Sequence, residues 1–129
     1  MRLTAKTDYC LRILIHLQKH NKKLKIQEIA DELQVSKNHL SVAANLLSEL
    51  GYISSSSGPK GGIEFNKSCE ESTVGEFMEK AEHFDLVECF NESKNTCTLS
   101  PRCKLKKMLS GANKAFIEHL KMYKIKDLA

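Results

Sequence analysis

Apolar residues recur at helical spacing in three segments of the first fifty residues. Segment 4–20 carries an apolar stripe and has Thr4 and Thr7 as candidate N-caps. Segment 26–33 places its apolar residues at i, i+3, i+4 and i+7. The third segment begins at Ser36, a good N-cap, and runs to about residue 50, before Gly51. The pattern therefore predicts three helices, with a short break between the second and the third.

The pattern changes after Gly51. A strand-like segment begins at 52–53, polar serines follow at 54–57, and Ile63-Glu64-Phe65 alternates as a second short strand. The intervening Gly58-Pro59-Lys60-Gly61-Gly62 turn predicts a β-hairpin. Two helices joined by a short break and followed by a hairpin are typical of the winged helix-turn-helix arrangement.

The second half of the chain predicts two further helices around a polar loop. The first helix spans 73–81, the loop spans 89–103, and a long helix runs from 104 to about 123. The long helix repeats apolar residues every 3.5 positions on average: Leu105, Met108, Leu109, Ala112, Ala115, Phe116, Leu120 and Tyr123. Such a terminal helix favours a homodimer, since little else in so short a chain could cover it. The alternative is that it folds back on its own domain.

These elements define the predicted fold class: mainly α with a small β-hairpin wing, a winged helix-turn-helix domain plus a long C-terminal dimerisation helix. We expect residues 1–83 to form the DNA-binding domain. Residues 84–103 should form a cysteine loop, and residues 104–129 the dimerisation helix and tail.

Charge is unevenly distributed along the 129 residues, although the formal net charge is only +4. Residues 1–66 carry a net +3, residues 70–92 a net −7 and residues 94–126 a net +8. A basic front suits phosphate contacts, but exposed helices commonly carry lysine. No apolar run approaches the length of a membrane span and no signal peptide is evident, so we expect a cytoplasmic protein without a membrane partner.

Polar residues at the start of the third predicted helix are candidates for reading DNA. Readers of this shape lay that helix in the major groove and contact phosphates with the wing. Asn pairs bidentately with adenine, and Lys suits guanine or phosphate. The candidate DNA-binding residues are Lys37, Asn38, His39 and Ser41, with Lys60 at the wing tip. The alternative is that these are solvated polar side chains; the hairpin that follows favours DNA.

Three of the five cysteines fall within fifteen residues, at Cys89, Cys97 and Cys103. Zinc sites usually contain cysteine pairs two to four residues apart, and this segment has none. Wider spacing on a loop suits an iron–sulfur cluster, and a fourth, non-cysteine ligand would complete it. From spacing alone, three unconnected cysteines are equally compatible. We expect Cys10 and Cys69 to be structural or incidental.

The sequence resembles the Rrf2 family of bacterial winged-helix iron–sulfur repressors over nearly its whole length. The resemblance rests on segments 1–4, 7–9, 58–62 and 73–76 together with the three cysteines. Segments 97–105 and 123–128 are most similar to the branch that senses nitric oxide. The branch that regulates cluster biogenesis carries a histidine three residues after the last cysteine, where this chain has Lys106. Many members also have a basic residue for the minor groove at the position of Ser57, and Lys60 is the candidate substitute here.

The resemblance implies a cytoplasmic homodimer that binds a pseudo-palindromic operator and is not an enzyme. It implies a 4Fe-4S or 2Fe-2S cluster held by Cys89, Cys97 and Cys103, with Asp8 of the partner subunit as fourth ligand. Asp8 could equally form an i,i+4 pair with Arg12. Nitric oxide would react with the cluster, lower DNA affinity and derepress detoxification genes. The alternatives are a regulator of cluster biogenesis and a cluster-free thiol or zinc switch.

Overall fold

A computed structural model describes all 129 residues, with five α-helices and one two-stranded sheet. The helices are α1 (Ala5–His20), α2 (Ile26–Leu33), α3 (Lys37–Glu49), α4 (Val74–Ala81) and α5 (Lys104–Leu120). The strands are β1 (Ile53–Ser56) and β2 (Gly62–Phe65), and 3-10 turns cover Lys67–Cys69, Glu88–Phe90 and Ile125–Leu128. None of the five helices combines the length and the hydropathy that a membrane-spanning segment needs.

Local signals account for the helix boundaries of the first half. The Thr4 hydroxyl accepts a hydrogen bond from the backbone N–H of Thr7, and the Ser36 hydroxyl accepts one from His39. Each bond satisfies a backbone donor that the first helical turn would otherwise leave free. Gly51 follows α3 with φ +84°, a conformation that glycine adopts without strain. The predicted starts of α1 and α3 and the stop at Gly51 are confirmed.

The hairpin is antiparallel, with Ile53 opposite Phe65 and Ser56 opposite Gly62. The polar Ser54, Ser55 and Ser56 belong to β1, whereas the sequence pattern indicated strand character only at 52–53. Leu24 pairs with Ile63 through two backbone hydrogen bonds of 2.9 and 2.7 Å. The segment before α2 therefore extends the sheet by one bridge and holds the hairpin against the helices.

The core lies between α1 and α3 and continues beneath α4. Leu14 and Leu17 of α1 and Leu40 and Leu47 of α3 are at most 1% exposed. Tyr52 meets Phe77 of α4 edge to face, with ring centroids 5.3 Å apart. This packing orients α3 relative to the rest of the domain.

The long helix ends at Leu120, three residues before the predicted end, because the chain turns back onto the domain. The N–H of Val74 donates to the carbonyl of Tyr123, and that of Ile125 donates to Ser72, both at 2.8 Å. Ile125 is fully buried, and Ile117 of α5 joins the same core. The C-terminal half of α5 thus folds back, whereas Leu105 and Met108 in its first half are 57% and 68% exposed.

Candidate nucleic-acid interface and cysteine loop

The first turn of α3 projects three of the predicted DNA-reading side chains into solvent. Lys37, Asn38 and His39 are exposed. Ser41 is half-buried, and its hydroxyl donates to the carbonyl of Lys37 at 2.9 Å. Val42 is 54% exposed on the next turn, where an apolar side chain suits contact with a thymine methyl group. The sequence pattern places Val42 on the outer face of the third helix, outside the buried stripe, but did not single it out as a DNA contact.

The break between α2 and α3 sets the angle of α3. Gln34 adopts the left-handed conformation with φ 54°, and the N–H of Val35 donates to the carbonyl of Ala30 at 3.0 Å. Ala30 is 2% exposed, so its small side chain lets the two helices approach closely. The predicted helix-turn-helix is therefore present, with α3 in the position of the recognition helix.

The wing tip is a braced turn that leaves Lys60 exposed. The ammonium group of Lys25 donates to the carbonyls of Gly58 and Gly61, both at 3.3 Å. A side chain at Gly61 would place its Cβ 2.4 Å from the carbonyl oxygen of Ser56, so the turn requires glycine there. Lys25 was not identified from the sequence, because its partners are backbone carbonyls 33 and 36 residues away.

A series of contacts connects the start of α1 with the first turn of α3. Arg12 donates to both carboxylate oxygens of Asp8, at 3.2 and 2.8 Å. The Arg12 guanidinium also lies 5.5 Å from the centre of the Tyr9 ring, and that ring stacks on His39 at 6.2 Å. Within one chain, Asp8 thus forms its i,i+4 pair with Arg12, and a short series of contacts connects Asp8 to the first turn of α3.

The three candidate ligands lie on one loop with their thiols free. Cys89 is 7% exposed, and Cys97 and Cys103 are half-buried. None forms a disulfide. Cys103 is the N-cap of α5 and makes no side-chain capping bond, so its sulfur lies at the positive end of a 17-residue helix.

Donor chemistry decides which inorganic group these residues fit. Thiolates are the ligands of iron–sulfur clusters, so three free cysteines on an irregular loop fit such a group. A single ion needs its ligand atoms close together. In this structure the group of three ligand atoms that all lie within 4.8 Å of one another is His16, His20 and Glu32, and it contains no cysteine. The three sulfur atoms are therefore not gathered around one point in this chain, and the fit of the loop to an iron–sulfur cluster rests on its donor chemistry.

The other two cysteines have structural surroundings. The Cys10 thiol donates to the carbonyl of Ala43 at 3.4 Å, and burial raises its pKa to about 12. The Cys69 thiol donates to the carbonyl of Gly51 at 3.1 Å. Both thiols donate hydrogen bonds within the fold, in agreement with the structural interpretation of Cys10 and Cys69.

Ion pairs bring the acidic middle and the basic end of the chain together. Glu71 pairs with Lys124 and Lys126, and Glu79 with Lys121 at 3.1 Å. Hydrogen bonds from the two lysines lower the pKa of Glu71 to about 2. The tail is therefore tied to the segment before α4 by charge as well as by backbone bonds.

The helix-turn-helix, the braced wing and the exposed turn of α3 define a winged-helix protein of the DNA-binding class. The family model of Rrf2, an iron-dependent transcriptional regulator, matches residues 3–129. The chain belongs to the Rrf2 family.

Curated relatives agree with that assignment. The HTH-type transcriptional regulator NsrR of Bacillus licheniformis is 43% identical over 131 residues, covering 99% of this chain and 92% of that protein. The NsrR of Shouchella clausii is 41% identical and covers 99% of this chain and 88% of that protein. The protein is accordingly a transcriptional regulator and not an enzyme.

Solved structures share the fold at lower identity. A putative transcriptional regulator from Listeria innocua has a TM-score of 0.76 at 23% identity, covering 99% of this chain and 85% of that chain. The T. potens IscR has a TM-score of 0.74 at 18% identity, also covering 99% and 85%. Staphylococcus aureus CymR has a TM-score of 0.72 at 24% identity, covering 98% and 96%.

Proposed function

We propose that this protein is a homodimeric repressor that binds operator DNA and releases it when nitric oxide reacts with an iron–sulfur cluster. The observation that carries the proposal is the set of three free thiols at Cys89, Cys97 and Cys103. They lie in a chain that is 40–43% identical to regulators named NsrR. The division of labour follows: residues 1–83 bind DNA, 84–103 hold the cluster, and 104–129 dimerise.

The chain's own residues prepare the cluster loop. Hydrogen bonds within the loop shape it: the Asn95 side chain accepts from the N–H of Cys97 at 2.9 Å, and Asn91 accepts from the N–H of Ser93 at 3.2 Å. Cys103 is fixed at the N-terminus of α5, where it is the N-cap residue. When bound, the cluster supplies iron that reacts with nitric oxide. The ligand set is compatible with both a 4Fe-4S and a 2Fe-2S cluster.

Asp8 supplies a route from the cluster to DNA. Its carboxylate has two alternative partners, Arg12 in its own chain and the cluster loop of the second subunit. If Asp8 ligates the partner's cluster, Arg12 loses its carboxylate partner while remaining against Tyr9, which stacks on His39. A change at the cluster then alters the contacts made to the recognition helix. Coupling between two sites requires an element of this kind, with two alternative arrangements.

The proposed dimer interface is the exposed apolar stripe of α5. Leu105 and Met108 are more than half exposed, and Ala112 and Ala115 continue the same face. Burial of such a stripe against its own copy is the usual arrangement for a terminal helix. Phe116 differs from the expectation for this stripe because its ring packs on Phe84 of the same chain, with centroids 5.7 Å apart.

Iron and sulfide analysis with anaerobic visible spectroscopy, before and after nitric oxide, tests the proposal. Wild-type protein should be coloured and bind operator DNA, and nitric oxide should change the spectrum and weaken binding together. Cys89→Ser, Cys97→Ser and Cys103→Ser should each abolish the visible absorption. Cys69→Ser is the matched control and should retain it, because its thiol serves only the fold.

The Asp8→Ala variant distinguishes the proposed iron–sulfur cluster from a thiol switch. The cluster should form but be less stable, since solvent or a small thiol can fill the fourth position. A disulfide switch would need two of the three cysteines and ignore Asp8, and a zinc site would give colourless protein throughout. Full visible absorption in Cys97→Ser would contradict the proposed ligand set.

A further inference from the structure

Two histidines of α1 and one glutamate of α2 form a cluster that neither DNA binding nor the cysteine loop uses. His16 and His20 are one helical turn apart and share a face of α1. Glu32 lies in the last turn of α2. The Glu32 Oε2 atom is 3.2 Å from Nε2 of His16 and 3.5 Å from Nε2 of His20. All three ligand atoms lie within 4.8 Å of one another.

These neighbours leave one ring nitrogen of His16 without a hydrogen bond. The residue is 8% exposed, and its Nε2 atom has no hydrogen-bond partner. The contact with Glu32 is close enough for an ion pair but lacks the direction of a hydrogen bond. A buried polar atom without a partner is uncommon in folded proteins, and a bound ion or an ordered water would satisfy it.

The two imidazole rings lie close together, with centroids 4.4 Å apart. Burial lowers the pKa of His16, which favours its neutral form. A neutral imidazole presents a nitrogen lone pair, which is the form that coordinates metal ions.

The distances match those of a coordination site. Donor atoms 2.0–2.1 Å from a tetrahedral ion lie about 3.3 Å from one another. The two nitrogen–oxygen distances, 3.2 and 3.5 Å, bracket that value. Two histidines at i and i+4 with one carboxylate are a known ligand set for zinc and related ions.

We propose that His16, His20 and Glu32 bind a divalent first-row transition-metal ion such as Zn²⁺ or Co²⁺, with water as the fourth ligand. The ion connects α1 to α2, the first helix of the helix-turn-helix, and so fixes the scaffold on which α3 is mounted. Nitrogen and oxygen donors distinguish this site from the thiolates at 89–103. The two sites are therefore chemically independent.

Titration of the full-length protein with Co²⁺, followed by visible absorption, tests the site. Wild-type protein should bind one equivalent of Co²⁺ that lacks the intense near-ultraviolet absorption of cobalt–thiolate bonds. His20→Ala and Glu32→Gln should each weaken this binding by about tenfold or more, because each removes one ligand. Both side chains are more than a third exposed, so their replacement leaves the core intact.

Matched controls keep the result specific. His119→Ala removes an exposed histidine of α5, and Asp31→Asn removes the carboxylate next to Glu32. Both variants should bind Co²⁺ as the wild type does. The proposal is overturned if His20→Ala and Glu32→Gln retain wild-type affinity, or if all Co²⁺ bound to the wild type shows thiolate absorption.

Discussion

The proposed DNA contacts of α3 and the wing are of two chemical kinds, charged groups and a hydrogen-bonding amide. Lys37 and Lys60 are exposed ammonium groups on separate elements, and Asn38 is an exposed amide. An ammonium group on phosphate releases counterions whatever the base sequence, whereas an amide pairs with one base edge. Replacing a lysine should therefore affect binding to every DNA sequence, whereas replacing Asn38 should affect the preference for one base.

Lys37→Ala and Lys60→Ala should each weaken operator binding and reduce the salt slope of the binding constant by about one. Asn38→Ala should instead change which base is preferred, with about 1–3 kcal/mol of lost discrimination. Fluorescence anisotropy at several salt concentrations measures both effects. Lys114→Ala on α5 is the control, and unchanged slopes in both lysine variants would refute the placement.

Glu71 is a residue whose charge state affects the tail. Its lysine partners lower its folded pKa to about 2 from 4.5, so the folded state binds fewer protons between these values. The contribution is fully present above pH 4.5 and is lost as pH falls towards 2. It should be small, because the carboxylate is exposed.

Glu71→Gln should therefore flatten the decline in unfolding free energy between pH 4.5 and 2. Urea unfolding at a series of pH values measures this decline. Glu49→Gln, a carboxylate at the end of α3, should leave it as in the wild type. Parallel curves for Glu71→Gln and wild type would show that the ion pairs do not stabilise the tail.

At the scale of elements, the close approach of α4 to α5 depends on Gly75. A Cβ atom there would lie 2.7 Å from the carbonyl oxygen of Ile117 and equally close to the N–H nitrogen of Lys121. Both are backbone atoms and cannot rotate away. The packing of α5 on the domain therefore requires a residue without a side chain at this position.

Gly75→Ala should destabilise the fold by about 1–3 kcal/mol, the usual cost of overpacking. Gly111→Ala is the matched control, because a Cβ atom added there would meet no atom within 4 Å. It should stabilise α5 by about 0.5–1 kcal/mol, since glycine is a poor residue inside a helix. Chemical denaturation of both variants provides the measurement, and equal effects of one sign would contradict the close packing at Gly75.

At the scale of the whole molecule, the proposed dimer depends on the exposed half of α5. Met108→Lys and Leu105→Lys should yield a monomer that binds half-sites weakly, because a charged side chain would be buried in the stripe. Sedimentation velocity measures the mass. Lys107→Gln, an exposed residue of the same helix outside the stripe, should remain dimeric. A dimer of unaltered mass in both lysine variants would rule out this interface.

The sequence by itself determined the features that depend on neighbouring residues. The starts of α1 and α3 and the stop at Gly51 follow from caps and glycine, and a period of 3.6 or 2 distinguishes helix from strand. The exposure of Lys37, Asn38, His39 and Lys60 follows from their polarity on a helix start and a turn tip. The three cysteines were found from their spacing and the family resemblance.

Only the tertiary structure decided the features that depend on distant residues. Serines 54–56 become a strand because they pair with residues 62–64, which their own polarity does not indicate. The C-terminal half of α5 folds back because Gly75 allows close packing and because Ile125 is buried. His16, His20 and Glu32 meet because α1 and α2 both pack on α3. Neighbouring residues set the backbone conformation that a segment prefers. Contacts between segments that are distant in the sequence form only when the surfaces of those segments are buried against each other.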